Sequence, residues 1–197
     1  MAYELVIKGG TVVDGTGAPG FAADVAVQDG RIAEVGTGLD GDRVLEADGH
    51  VVAPGFIDIH THYDAQVFWD PGLTPSSYHG VTTVIAGNCG FSIAPCGPDG
   101  AGILGRTLQH VEDMSLDTLV AGVPWDEFET FGQYLDAVER RGVGLNYGCY
   151  VGHTAVRLYV MGADDAYERP AADAEIAEMQ RIVAEAMAAG AAGFASS

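Results

Sequence analysis

The sequence is poor in positive charge: nine lysines and arginines stand against 28 aspartates and glutamates, for a formal net charge of −19. So acidic a chain repels nucleic acid and anionic membranes, which are both polyanions, and neither is expected as a partner. Lysine is almost missing. Lys8 is the only one, so a mechanism that needs a lysine anywhere else is excluded. No apolar run approaches the ~20 residues that a membrane helix requires, and the first eight residues lack the basic-then-apolar order of a secretory signal. Three cysteines, Cys89, Cys96 and Cys149, are too few for a disulfide framework and cannot all pair within one chain. Together these absences predict a reduced, cytoplasmic protein. What is abundant is apolar content, 48% of 197 residues, enough for a core in one full domain or two small ones.

The hydrophobic pattern divides the chain near residue 53. Before it lie short apolar runs closed by glycine turns: Leu5-Val6-Ile7 before Gly9-Gly10, Thr11-Val12-Val13 before Asp14-Gly15, and Val25 to Val27 before Asp29-Gly30. Asp-Gly between two such runs suits a two-residue hairpin, because both central residues need positive φ. The pattern predicts an all-β segment over 1–53. Gly15 and Gly17 have no helix after them and read as a turn, not a phosphate loop.

After Gly49, mostly apolar runs alternate with helical periodicity. Val51–Ile59, Thr82–Ala86, Leu145–Val151 and Ala191–Ala195 are expected as strands buried on both faces. Phe131, Tyr134, Leu135 and Val138 predict a helix over about 131–141 that stops at Gly142. A second helix carries Ile176, Met179, Ile182, Val183 and Met187, with Asp173 expected at its N-cap and Gly190 just past its end. The long stretch from Asn88 to Thr130 is expected to hold a helix near Leu104, Leu108 and Val111 within pocket-shaping loop. Strand–helix alternation of this kind predicts a parallel α/β architecture. Trp69, Trp125 and the tyrosines read as core or rim aromatics.

Chemistry concentrates at the ends of the apolar runs, where parallel α/β sheets bind ligands. In Ile57-Asp58-Ile59-His60-Thr61-His62 the period-two alternation of a strand sends both imidazoles to one side, where one metal ion can meet them. Asp58, two residues earlier, is either a partner that orients an imidazole N–H or a local hydrogen-bond acceptor at the strand end. Asp64 lies two residues beyond the pair. Cys89, in Gly87-Asn88-Cys89-Gly90, follows the second run and is either a thiolate ligand or nucleophile, or an inert buried thiol. His153 follows the third run and Arg157 comes four residues later. These are a candidate ligand-facing imidazole and carboxylate clamp, or else a helix-start histidine and a surface arginine. Cys96 and Cys149 read as inert, and His50, His79 and His110 have no partner pattern.

Taken together, Lys8–Gly17 and Val52–His62 resemble the start of an amidohydrolase-superfamily enzyme. Tyr63-Asp64-Ala65-Gln66, His79–Val84, Gly87–Gly90, Val151-Gly152-His153 and the closing Gly193-Phe194 are similar to the N-acyl-D-amino-acid deacylases. The resemblance implies a metallo-dependent hydrolase (β/α)₈ barrel beside a small β-sandwich, with residues 1–53 part of the sandwich and 54–197 the first half of the barrel. It implies Zn²⁺ held by His60, His62 and Cys89, with the thiolate standing where many relatives use a carboxylated lysine. It also implies a small N-acyl amino acid as substrate and hydrolysis of its amide bond, for which the strand-end His153 and the possible clamp Arg157 are the expected substrate-side residues. The two histidines of later strands and the catalytic aspartate of the family do not occur in this chain. Residues 54–197 fall short of the ~250 of a complete barrel, and Ala195 stands where the family usually has a hydroxyl residue. Only about four strand–helix units are expected, and the isolated chain is expected to be inactive. Its strand edges should drive self-association or recruit a completing chain. The alternatives are a hydantoinase-like cyclic-amide hydrolase and a non-catalytic, truncated subunit.

Overall fold

The structure, a computed structural model, describes residues 2–98 and 100–196, with the backbone alone at 111 and 112. The chain divides into two compact units, Met1–Gly55 and Phe56–Ser197.

The first unit is a single mixed sheet. Its strands are β1 (Tyr3–Val12), β2 (Phe21–Gln28), β3 (Arg31–Gly36), β4 (Gly41–Glu46) and β5 (Val51–Val52), in the order β3-β2-β1-β4, with β5 alongside the end of β1. Strands β2 and β3 form the expected hairpin on Asp29-Gly30, with φ of 52° and 69°. The two separate strands expected around Gly9-Gly10 are instead one. β1 runs through the glycines by a bulge between Ile7 and Gly10, where Gly9 takes φ of 76°. A buried carboxylate makes this possible: Asp24 accepts from the N–H of Gly9 at 2.9 Å and of Leu39 at 3.0 Å. Those backbone donors favour the charged form and hold its pKa below the usual carboxylate value.

The second unit is a parallel sheet, β6 (Phe56–Asp58), β7 (Val81–Ala86), β8 (Asn146–Gly152) and β9 (Gly193–Ala195), in sequence order. Its helices are α1 (Tyr63–Gln66), α2 (Gly100–Glu112), α3 (Leu116–Gly122), α4 (Phe131–Arg141), α5 (His153–Ala166) and α6 (Asp173–Ala188). The core lies where Val84, Ala86, Cys149 and Val151 of the inner strands meet Leu119, Phe131 and Tyr134 of the helices. Phe68, Phe128 and Tyr134 add ring contacts at centroid distances of 5.4–6.0 Å.

α4 spans the expected residues because the sequence supplies both ends. Thr130 and Gln133 form a capping box, and Gly142 stops the helix with φ of 72°. α2 contains the expected Leu104 and Leu108, both buried; the side chain of Val111 lies outside the described residues. Among the described residues no helix is long and apolar enough to cross a membrane.

Further expectations need correction. Val51–Ile59 is not one buried strand: Val51-Val52 pairs with β1, the chain breaks step at residues 53–55, and β6 begins a different sheet. Moreover Phe56, Ile57 and Ile59 are mostly exposed, because among the described residues β6 has only β7 as a strand neighbour. Finally, Asp173 is the first helical residue of α6 and not its cap. Glu175 does the capping, accepting from the N–H of Ala172 at 2.7 Å. Of the expected apolar stripe on α6, Ile182 is buried while Ile176 and Met187 are exposed.

Candidate metal centre

The chain leaves β6 through Asp58, whose carboxylate accepts from the N–H of His60 at 3.2 Å. That is the local strand-end bond, the simpler of its two expected roles. The segment then crosses to β7: the N–H and hydroxyl of Thr61 both donate to the Ile85 carbonyl, each at 3.0 Å. With Thr61 pinned and buried, the imidazoles on either side come within 5.6 Å, centroid to centroid. The same Ile85 carbonyl accepts from the Asn88 side chain at 2.9 Å, so one oxygen ties the histidine pair to the loop that carries Cys89.

That loop is sharply bent. Gly87, Cys89 and Gly90 all have positive φ, of 77°, 54° and 75°. A Cβ on Gly87 would meet the Tyr150 carbonyl oxygen at 2.1 Å, so only glycine lets the loop lie against β8. A Cβ on Gly152 would meet the Gly90 oxygen at 2.5 Å. Buried Ser92 closes the junction. Its hydroxyl donates to the Ala94 carbonyl at 2.7 Å and accepts from the Gly152 N–H at 3.0 Å. For a cysteine, left-handed backbone is uncommon and strained, and here it aims the thiol at the histidines. Cys89 Sγ lies 3.1 Å from His60 Nε2, and ligand atoms of His60, His62 and Cys89 all fall within 4.8 Å of one another.

Two imidazole nitrogens and one thiol sulfur, converging from the ends of adjacent parallel strands, suit zinc, which accepts both donor types and keeps a fourth position open for substrate. The donor set therefore fits the expected ion.

The remaining sequence candidates separate. His153 opens α5 at the end of β8, with its ring 6.0 Å from that of Phe194. Arg157 departs from the clamp expectation. Its Nε donates to the Ala166 carbonyl and its Nη2 to the Arg169 carbonyl, so the guanidinium braces the turn after α5. His50 and His110 bond to backbone carbonyls close in sequence. Sequence reasoning missed Thr61, Asn88 and Ser92. The polar residue between two strand-end histidines was the one visible signal, and partners 24 and 60 residues away gave none.

Comparison with known proteins fits this geometry. The model of the amidohydrolase family matches residues 43–196. The chain belongs to the amidohydrolase family. This amidohydrolase chain is 40% identical to a D-aminoacylase of Alcaligenes xylosoxydans xylosoxydans, covering 98% of itself and 37% of that enzyme. An N-acyl-D-glutamate deacylase of the same organism is 38% identical, with the same coverage. Among solved structures, a D-aminoacylase studied for its binuclear metal centre matches with a TM-score of 0.83 at 38% identity. So does an N-acyl-D-glutamate deacylase from Bordetella bronchiseptica, complexed with zinc and a phosphonate mimic of the tetrahedral intermediate, at 34% identity. In both cases the match covers 38% of the solved chain. The four-stranded parallel sheet of this amidohydrolase is thus part of a metallo-dependent hydrolase barrel.

Proposed function

We propose that the complete protein hydrolyses the amide bond of N-acyl-D-amino acids with zinc as cofactor. The observation that carries this reading is the convergence of His60, His62 and Cys89 within 4.8 Å. Its chemical class follows the deacylases that the chain resembles over nearly all its length. His60, His62 and Cys89 hold the metal, which supplies Lewis-acid polarisation of the scissile carbonyl and activation of water when bound. This chain's part is to orient those three donors. Thr61 fixes the histidine pair on β7 and Ser92 fixes the Cys89 loop on β8. His153, at the corresponding end of β8, faces the substrate side; Arg157 is occupied by its two carbonyls and is left out of the site.

Residues 54–197 supply about four strand–helix units of the barrel, and residues 1–53 part of a small sandwich. Among the described residues β6 and β9 each have one strand neighbour, so on this reading further protein covers their other edges, whether a continuing chain or a second copy. Residues 1–197 alone are inactive on this reading, because the resemblance puts the proton-shuttling aspartate on a later strand of the barrel. The free cysteines suit a reducing, cytoplasmic setting.

The test is an assay of the complete protein on matched D and L N-acyl amino acids and on a cyclic amide such as a hydantoin. Turnover of the D series, lost on zinc removal and reduced at least ~100-fold by Cys89→Ala, is the expected result. Preference for the cyclic amide would give the site to hydantoinase-type chemistry, against which the Cys89 ligand and the shortage of lysine now argue.

A further inference from the structure

Behind the metal-ligating strand end lies a polar knot that the proposed chemistry does not use. Asp64, two residues beyond His62 in the first turn of α1, is completely buried. Its Oδ1 accepts from the Cys149 thiol of β8 at 3.6 Å. Its main-chain carbonyl accepts from the Tyr134 hydroxyl of α4 at 3.1 Å, and that hydroxyl is 2.6 Å from the hydroxyl of Tyr147, again on β8. Tyr134 and Cys149 are each only 1% exposed. Burial pushes the pKa of both tyrosines and of Cys149 well up, so all three stay protonated, as donors must.

Such a knot is costly. Polar groups taken into an apolar core lose their water, and a network left half satisfied is worse than hydrocarbon. Around it the core is built from Val84, Val151, Phe131 and Ala137, which pack without that cost. What the knot gains is registration. The α1 helix is four residues long, too short to hold itself by its own hydrogen bonds, and it starts directly after His62. One residue, Asp64, is gripped from α4 through its backbone and from β8 through its carboxylate.

We propose that Tyr134, Tyr147 and Cys149 are positioning residues that lock Asp64, and through it the backbone of His62, in the place where His60, His62 and Cys89 meet one ion. The inference rests on the metal-centre reading and deepens it. Thr61 holds the segment from one side and Asp64 from the other, so His62 lies between two anchors.

The experiment measures zinc affinity, by competition with a chelator, and the thiolate-to-metal absorption of the cobalt-substituted complete protein. The variants are Cys89→Ala, Tyr134→Phe, Cys149→Ala and Cys149→Ser. Tyr134→Phe and Cys149→Ala should each weaken zinc by roughly 10-fold or more and alter the cobalt spectrum, as loss of an outer ligand-orienting bond does. Cys149→Ser retains a donor to Asp64 and should restore affinity to within about twofold and recover the spectrum. Should Tyr134→Phe fail to fold, the Cys149 pair decides alone. Wild-type affinity and spectrum in Tyr134→Phe and Cys149→Ala, with Cys89→Ala still losing the metal, would overturn the positioning role and leave the metal centre standing. Failure of the serine variant to rescue would overturn it as well, because the defect would then be general packing. A wild-type protein that binds no zinc would instead overturn the metal-centre reading itself.

Discussion

Val84 and Ile57 are both β-branched residues on neighbouring parallel strands, yet Val84 is fully buried and Ile57 is 63% exposed. β7 lies between two strands and under the helices, while among the described residues β6 has a neighbour on one side only. The same contrast runs through the candidate metal centre. Cys89 leaves the inner strand β7 and locks into β8 through Gly87, Gly152 and Ser92. The histidine pair leaves the outer strand β6 and is held by the Thr61 bonds to one carbonyl of β7. Two of the three proposed ligands are thus carried by the less supported strand, so the number of neighbours, and not apolarity, decides how firmly each half of the candidate site is held.

The hardest blow to the inner half is Gly87→Ala. The new Cβ would press on the Tyr150 carbonyl at 2.1 Å while the residue keeps a φ of 77°. Overpacking against backbone and left-handed strain act together, for a cost of about 3 kcal/mol or more. A large fall in the melting temperature and loss of stoichiometric zinc are expected; a variant with unchanged melting and metal content would show that the loop is not wedged on β8.

Next comes the direct pair. Val84→Ala should cost roughly 2 kcal/mol, the transfer and cavity terms of a buried side chain. Ile57→Ala should cost less than about 0.5 kcal/mol in residues 1–197, because its side chain is mostly in water already. Denaturant titrations of both variants measure the difference. Equal costs would break the comparison. A larger Ile57 cost in the complete protein than in residues 1–197 would measure how much of β6 another segment covers.

Periodicity made the inner strands, α4 and the strand-end residues His60, His62, Cys89 and His153 legible in the sequence, because alternation and capping are local properties. What it could not give was partnership. Val51 and Ile57 look like one apolar run, but the break at 53–55 assigns them to different sheets, a choice fixed by pairing with β1 and β7. Asp173 looks like a cap, but Glu175 reaches back to Ala172 and takes that place, since a longer side chain already tied to Arg169 is on hand. Arg157 looks like a clamp until its two carbonyl partners, nine and twelve residues on, are seen. The fold of the site was written in short-range pattern; the supports of the site were written in contacts across 24 to 85 residues.

Thiol reactivity distinguishes a strand end from a strand interior. Cys89 is partly exposed, whereas Cys96 and Cys149 are buried. Burial, helped by Glu129, pushes the Cys96 thiol up to about 11, and burial beside Asp64 also raises the Cys149 thiol well above its usual value. At pH 8 the Cys96 thiolate fraction is then about one part in a thousand, and the thiolate is the reactive form. Alkylation of the native chain at pH 8 should label Cys89 alone after zinc is removed, and no cysteine while zinc is bound. Labelling of Cys149 at a rate comparable with Cys89 would mean that β8 is no better protected than the edge.

The smallest effect concerns the connection from inner β8 to outer β9, where α5 and α6 meet. Arg169 donates to both carboxylate oxygens of Glu175, at 2.6 and 2.7 Å, and the Ala172 N–H adds a third bond. These bonds, the arginine first, hold the Glu175 carboxyl at about 2 in place of 4.5. A folded-state pKa below the unfolded value means stability that is present above pH 4.5 and lost as the pH falls from there towards 2. The pair is open to solvent, so the contribution is small and salt-sensitive. A carbon-13 titration of the Glu175 carboxyl should still find it ionised at pH 3.5 in low salt. Arg169→Ala should return the Glu175 midpoint most of the way towards 4.5, with the Ala172 bond keeping it somewhat below. A wild-type midpoint near 4.5 would mean that the turn joining inner to outer strand is not pinned by this pair, leaving the Arg157 bonds to Ala166 and Arg169 to hold it.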